Sequence, residues 1–201
     1  MEDIEQTTPE VESKKTKAQK TILSYLHDLV FGLVAVLLVF MLVFRVIVVS
    51  GPSMKQTLQN GDCIILLSSV FYSEPKYGDI VVISKEAYKD GEPIIKRVIA
   101  TEGQEVNIDF VSGIVTVDGV ALEEPYVNTP TNEFEGISFP KWVPEGCVFV
   151  LGDNRNSSKD SRSSEIGMID KREILGKALL LAFPGFNDAG QRDYHRIGAI
   201  G

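Results

Sequence analysis

Residues 29–49 read LVFGLVAVLLVFMLVFRVIVV, an apolar run broken only by Arg45. As one helix this run is roughly 31 Å long, the thickness of a bilayer's hydrocarbon layer. A soluble core helix of that length needs a polar face, and none is present. A cleaved signal peptide is disfavoured too, because the preceding region is long and of mixed charge and no A-x-A-like site follows. The run is therefore expected to be a transmembrane anchor, with Arg45 snorkelling near its end. Working outward, Lys14, Lys15, Lys17 and Lys20 precede the run, and Arg45 alone lies close to its far end. The positive-inside rule then leaves the N-terminus cytoplasmic and the larger part of the chain extracytoplasmic, at the cell membrane. Glu2, Asp3, Glu5, Glu10 and Glu12 count for little in that rule. Residues 1–28, rich in Glu, Lys, Thr and Gln, read as a disordered tail.

Residues 50–201 remain, about 155 with the run's end, enough for one domain with its own core. The net charge of −8 argues against nucleic acid as a partner, since phosphate binding calls for a basic face. Short apolar stretches separated by turn signals follow: CIILLSSVF after Gly61-Asp62, DIVVIS after Tyr77-Gly78, PIIKRVIA after Asp90-Gly91. EVNIDF and GIVTV flank a short turn, Asp118-Gly119 marks another, and GCVFVLGD is a further β-rich run. EILGKALLLAF reads as a helical turn that continues as a strand. The fold expected is mainly β, an N-terminal transmembrane helix followed by an all-β domain of folded, barrel-like sheets. Residues 123–144 read as a long surface loop, and the segment after Phe186 carries little pattern. Cys63 and Cys147 are too far apart in sequence for a metal motif. In an oxidising space they are either a disulfide or two buried thiols, and the sequence leaves both open.

Three stretches carry candidate chemistry. SGPSMKQTL places Ser53 just past the apolar run. A nucleophilic serine needs a base, usually histidine, and the chain holds only His27 and His195, neither near the other candidate segments. In IIKRVIA, Lys96 and Arg97 are neighbours on a strand, so alternation sends them to opposite faces. One of them then points inward, unless the strand is an edge whose lysine stays in water. An inward lysine must lose its proton or find partners. The third stretch, GDNRNSSKDSR at 152–162, packs Asp, Asn, Arg and Ser onto one loop, as either a solvated turn or a site. A free lysine of pKa about 10.4 is neutral in roughly one molecule of a few thousand at pH 7. Burial lowers that pKa and makes the amine a usable base in a Ser/Lys variant of triad chemistry.

With these stretches in this order behind an anchor, the chain resembles the type I signal peptidases, membrane-anchored Ser/Lys endopeptidases, and more closely their Gram-positive-type branch. SGPSM is similar to the nucleophile box, GDIVVI (78–83) to a structural box, IKRVIA to the lysine box and GDNRNSSKDSR to the last box. The resemblance implies Ser53 as nucleophile, Met54 beside the substrate, Lys96 as general base and Ser158 as the residue that orients it. Arg97, Asp153, Asp160 and Arg162 fall on positions that support the site, the last two as an ion pair. It further implies exported preproteins with small residues at −1 and −3 as substrates, the lipid bilayer as a partner, and no metal or organic cofactor. Two positions depart from the family pattern. Gln56 stands where a proline is common, and Gly51 stands where some relatives carry a hydroxyl. The rivals are a self-cleaving Ser/Lys repressor, which needs a DNA-binding segment, and a catalytically silent anchored β-domain that binds export partners.

Overall fold

The structure, a computed structural model, describes residues 9–187 and 189–200. Helix α1 is described over Pro9–Val43. Strong helix formers follow, with no glycine before Gly32. The disordered tail expected over residues 1–28 is thus corrected from Pro9 onward, and the expectation for residues 1–8 lies outside the described residues. The segment Gln19–Val43 has 25 residues with mean hydropathy 2.6 and none of its apolar window buried, long and apolar enough to cross a membrane.

The apolar run does not stay helical to residue 49. At Phe44 the chain becomes strand β1 (Phe44–Val48), antiparallel to β2 (Cys63–Ser68) with Phe44 opposite Leu67 and Val48 opposite Cys63. Val46, Ile47 and Val48 are β-branched, which favours a pleated partner over another helical turn. A run apolar but for Arg45 shows no periodicity that separates these outcomes. The chain divides into two compact units at this junction, Met1–Leu42 and Val43–Gly201.

The second unit is β-rich. After β2 come β3 (Ile80–Ile83), β4 (Ile94–Thr101), β5 (Glu105–Asp109), β6 (Ile114–Val117), β7 (Val120–Ala121) and β8 (Lys141–Trp142). The remaining strands are β9 (Cys147–Leu151), β10 (Ile169–Asp170), β11 (Ile174–Phe183) and β12 (Gly198–Ala199). The larger sheet runs β1-β2-β11-β3-β4-β9-β10, with β12 also paired to β11, and the smaller runs β7-β6-β5-β8. Asp118 and Gly119, at φ 51° and 78°, make the tight β6–β7 turn. β11 begins after a short turn capped by Asp170 and Glu173, as its sequence suggests. Strand β8 sits in the segment read as a surface loop and β12 in the one read as carrying little pattern, since two-residue strands carry no alternation to detect.

β3 and β4 lie in the middle of the larger sheet and are covered on both faces. Ile80 and Val82 enter one core with Met54, Leu58 and Leu66, while Val81 and Ile83 enter another with Val98 and Val150. A third core, around Val106, Val115 and Phe149, joins the smaller sheet to β4 and β9. Cys63 on β2 and Cys147 on β9 are free thiols.

Candidate active site

Ser53 sits on a loop whose neck is closed by backbone bonds from Val49 N to Asp62 O (2.8 Å) and from Gly61 N to Val49 O (2.8 Å). Met54 and Leu58, one and five residues on, are buried in the core and anchor the loop from beneath. Thr57 N and Leu58 N both bond Met54 O, at 3.1 and 2.8 Å. Gln56 has φ 100°, a backbone conformation that the ring of proline forbids. The departure from the family's common proline therefore has a conformational counterpart here.

Lys96 lies on β4, and its Nζ is 2.8 Å from Ser53 Oγ, within hydrogen-bond distance. The amine also donates to Ile95 O at 2.9 Å. Lys96 and Arg97 are both buried, at 3% and 2% exposure. The edge lysine held in water is ruled out: Lys96 points inward, and Arg97 on the opposite face is buried as well, because the strand is covered on both faces. Burial pushes the Lys96 pKa down to about 8, helped by Lys89 and opposed by Asp160, Glu135 and Asp153.

Arg97 emerges on the other face, where it grips Asp153 through two bonds (Nε to Oδ1 2.9 Å, Nη2 to Oδ2 2.8 Å) and donates to Gly78 O at 2.8 Å. Its guanidinium stacks on the Tyr126 ring at 3.9 Å. Burial pulls its pKa down, but the Asp153 carboxylate more than restores it. Asp153 also accepts from the Thr57 hydroxyl, so one carboxylate ties the Ser53 loop to the strand that carries Lys96.

The 152–162 loop completes the contact. Asn154 N donates to Ser53 O, and Asn154 Nδ2 to Pro52 O, each at 3.0 Å. A Cβ on Gly152 would lie 2.1 Å from Ser158 Oγ and 2.6 Å from Ser53 O, so only glycine fits between them. Asp160 and Arg162, both fully buried, form a two-bond ion pair, and Asp160 also accepts from Gly152 N at 3.0 Å. Ser158 Oγ is buried without a hydrogen-bond partner among the described residues, so it makes no bond to Lys96 in this arrangement. Thr57, Asn154 and the buried Arg155, which binds Glu124 and Thr131, lie inside the quoted stretches but were given no role there, and Tyr126 carried no signal in the sequence. Their partners are up to 102 residues away.

A cleft of about 410 Å³ opens over Ser53 and Lys96. Its walls include Ile47, Val49, Pro52, Met54, Ile94 and Ile95, with Tyr88, Lys89, Glu92 and Lys159 also lining it. Among the described residues, no group of three or more His, Cys, Asp or Glu could hold a metal ion.

The family model described as "Signal peptidase, peptidase S26" matches residues 22–183, which include all of these segments. The chain belongs to the signal peptidase family. Signal peptidase I of Bacillus licheniformis is 31% identical over 190 residues, covering 90% of this chain and 99% of its own length. Signal peptidase I T of Bacillus subtilis is 32% identical, covering 93% and 98%. A probable signal peptidase I-1 of Synechocystis is 37% identical, covering 78% and 80%. A crystal structure of a signal peptidase I from Enterococcus faecalis aligns with a TM-score of 0.42 at 30% identity, covering 52% of this chain and 96% of that one. As a signal peptidase family member, the chain is a peptidase with an N-terminal apolar helix compatible with a membrane anchor.

Proposed function

We propose that this chain is a membrane-anchored endopeptidase that removes N-terminal signal peptides from exported preproteins, with Ser53 as nucleophile and neutral Lys96 as general base. The observation that carries the reading is the 2.8 Å approach of Lys96 Nζ to Ser53 Oγ, with the amine buried beside an open cleft. The neutral amine takes the Ser53 proton as Oγ attacks the scissile carbonyl. The ammonium so formed gives that proton to the leaving amine, and an acyl-enzyme remains. Lys96, neutral again, then activates the water that releases the signal peptide. The Ser53 backbone N–H is the assigned donor to the oxyanion.

Ser158, whose buried hydroxyl is unpartnered, is assigned to orienting the lysine once substrate is bound. Arg97, Asp153, Asp160 and Arg162 support the site from behind. β1 ends the larger sheet, and Val46 and Val48 on it are exposed at 65% and 64%. An extended substrate adds as a strand along such an edge, with small side chains at −1 and −3 entering the apolar walls near Ile47, Val49 and Ile95. The helix holds the protein in the bilayer, and the lysines before it favour a cytoplasmic N-terminus with the catalytic unit outside.

Cleavage of a preprotein by the detergent-solubilised full chain, compared with Ser53→Ala, tests this reading. The wild type is expected to release the signal peptide and Ser53→Ala to release none. Equal cleavage by the two would refute it.

A further inference from the structure

Behind Ser53, the loop makes its least comfortable turn at Gln56, whose φ of 100° persists only where the surroundings over-determine it. The next residue, Thr57, is held at two points. Its hydroxyl donates to Asp153, which in turn holds Arg97 beside Lys96. Its carbonyl accepts from Arg196 Nη2 at 3.2 Å. Arg196 lies 139 residues further on, in a short turn (Tyr194–Arg196) past the end of the family match at residue 183.

The same guanidinium pairs with Asp62 through two bonds, Nη1 to Oδ1 at 3.0 Å and Nη2 to Oδ2 at 2.6 Å. Asp62 is fully buried at the neck of the Ser53 loop, where it also accepts from Gln59 N and Gly185 N, each at 2.7 Å. One planar fork thus spans the neck of the loop and the residue after its strained turn, a geometry that suits arginine and not a point charge.

We infer that Arg196 is a positioning residue for catalysis: the C-terminal arm clamps the Ser53 loop through Asp62 and the Thr57 carbonyl, and so sets Ser53 Oγ against Lys96. This rests on the proposed function for the identity of the reacting pair, though the clamp itself does not. Lysine at 196 keeps a cation opposite Asp62 but cannot hold both carboxylate oxygens and Thr57 O together.

The test uses full-length Arg196→Lys and Arg196→Ala in detergent, read by preprotein cleavage, thermal unfolding and amide hydrogen exchange. In folded Arg196→Lys, kcat is expected to fall roughly 10- to 100-fold, the effect of a misplacement of about 1 Å. KM is expected to stay within about twofold, because the walls formed by Ile47, Val49, Ile94 and Ile95 lie outside the loop. Exchange should quicken over residues 50–62 while β4 and β9 keep their protection. Should Arg196→Ala fail to fold, the lysine variant decides alone. A folded Arg196→Lys with wild-type kcat and unchanged exchange in the loop overturns the inference. So does exchange that rises equally across the sheet, or unfolding of both variants, since Arg196 would then hold the fold and not the loop. Failure of the functional reading shows elsewhere, as a wild type that does not cleave or a Ser53→Ala that does, and the exchange experiment is independent of either.

Discussion

Lys96 is an amine placed where a charge is costly, and its pKa of about 8, against 10.5 for the free group, measures that cost. The unfolded chain binds the proton more tightly than the folded one. The penalty is therefore fully present below pH 8 and fades as pH rises toward 10.5, with a size on the order of 3 kcal/mol. Lys96→Met, similar in length and free of charge, is expected to unfold at higher denaturant than wild type at pH 7. The advantage should shrink as pH approaches 10, and a pH-independent gap would contradict the burial argument. In the proposed mechanism the same proton sets the rate. For wild type, kcat/KM is expected to rise about tenfold per pH unit on the acid side and to level off above about pH 8. Ser53 and Lys96 were legible as a pair because histidine is scarce and an inward lysine on an apolar strand demands a reason. The contacts of Thr57 and Asn154 were not, although both lie in the quoted stretches, since a threonine and an asparagine in loops have many ordinary uses and their partners are distant in sequence.

At the level of elements, β4 explains how adjacent residues of like charge can both be buried. A central strand offers two interiors, and Arg97 survives in one of them only through its paired bonds to Asp153. Removing one partner of such a pair leaves the other charge uncompensated. Asp153→Asn is accordingly expected to cost about 3–5 kcal/mol in denaturant unfolding. Glu165→Gln, which breaks the exposed Lys159–Glu165 pair, should change stability little. A small effect at Asp153 would mean that Arg97 finds a second acceptor or water. The strands with alternating or long apolar patterns were readable from sequence. The boundary at Val43 was not, because Phe44–Val48 continues the apolar run but for Arg45, and it is the pairing with β2 that ends the helix.

On the scale of the whole molecule, the larger sheet settles what the spacing of the cysteines left open. Between Cys63 on β2 and Cys147 on β9 lie β11, β3 and β4. Strands about 4.8 Å apart put the two thiols roughly 15–20 Å away from each other across the sheet, well beyond disulfide reach. Two free thiols are expected on titration of the denatured, unreduced protein, and reductant should leave its unfolding midpoint unchanged. A titration that finds none would place a bond the sheet order forbids. The C-terminal arm was the least legible part of the chain. Its contribution is a two-residue strand and the bonds of Arg196, and neither leaves a periodic trace.

The central claim, that a neutral Lys96 takes the proton of Ser53, is tested most directly by Lys96→Arg. Arginine keeps the charge and much of the length but stays protonated above pH 12, so it cannot act as the base. Preprotein cleavage by this variant should be measured beside its thermal unfolding, so that a folding defect is not taken for a chemical one. A folded protein with no detectable cleavage is the predicted result. A folded Lys96→Arg that cleaves near the wild-type rate would put the base elsewhere and contradict the account.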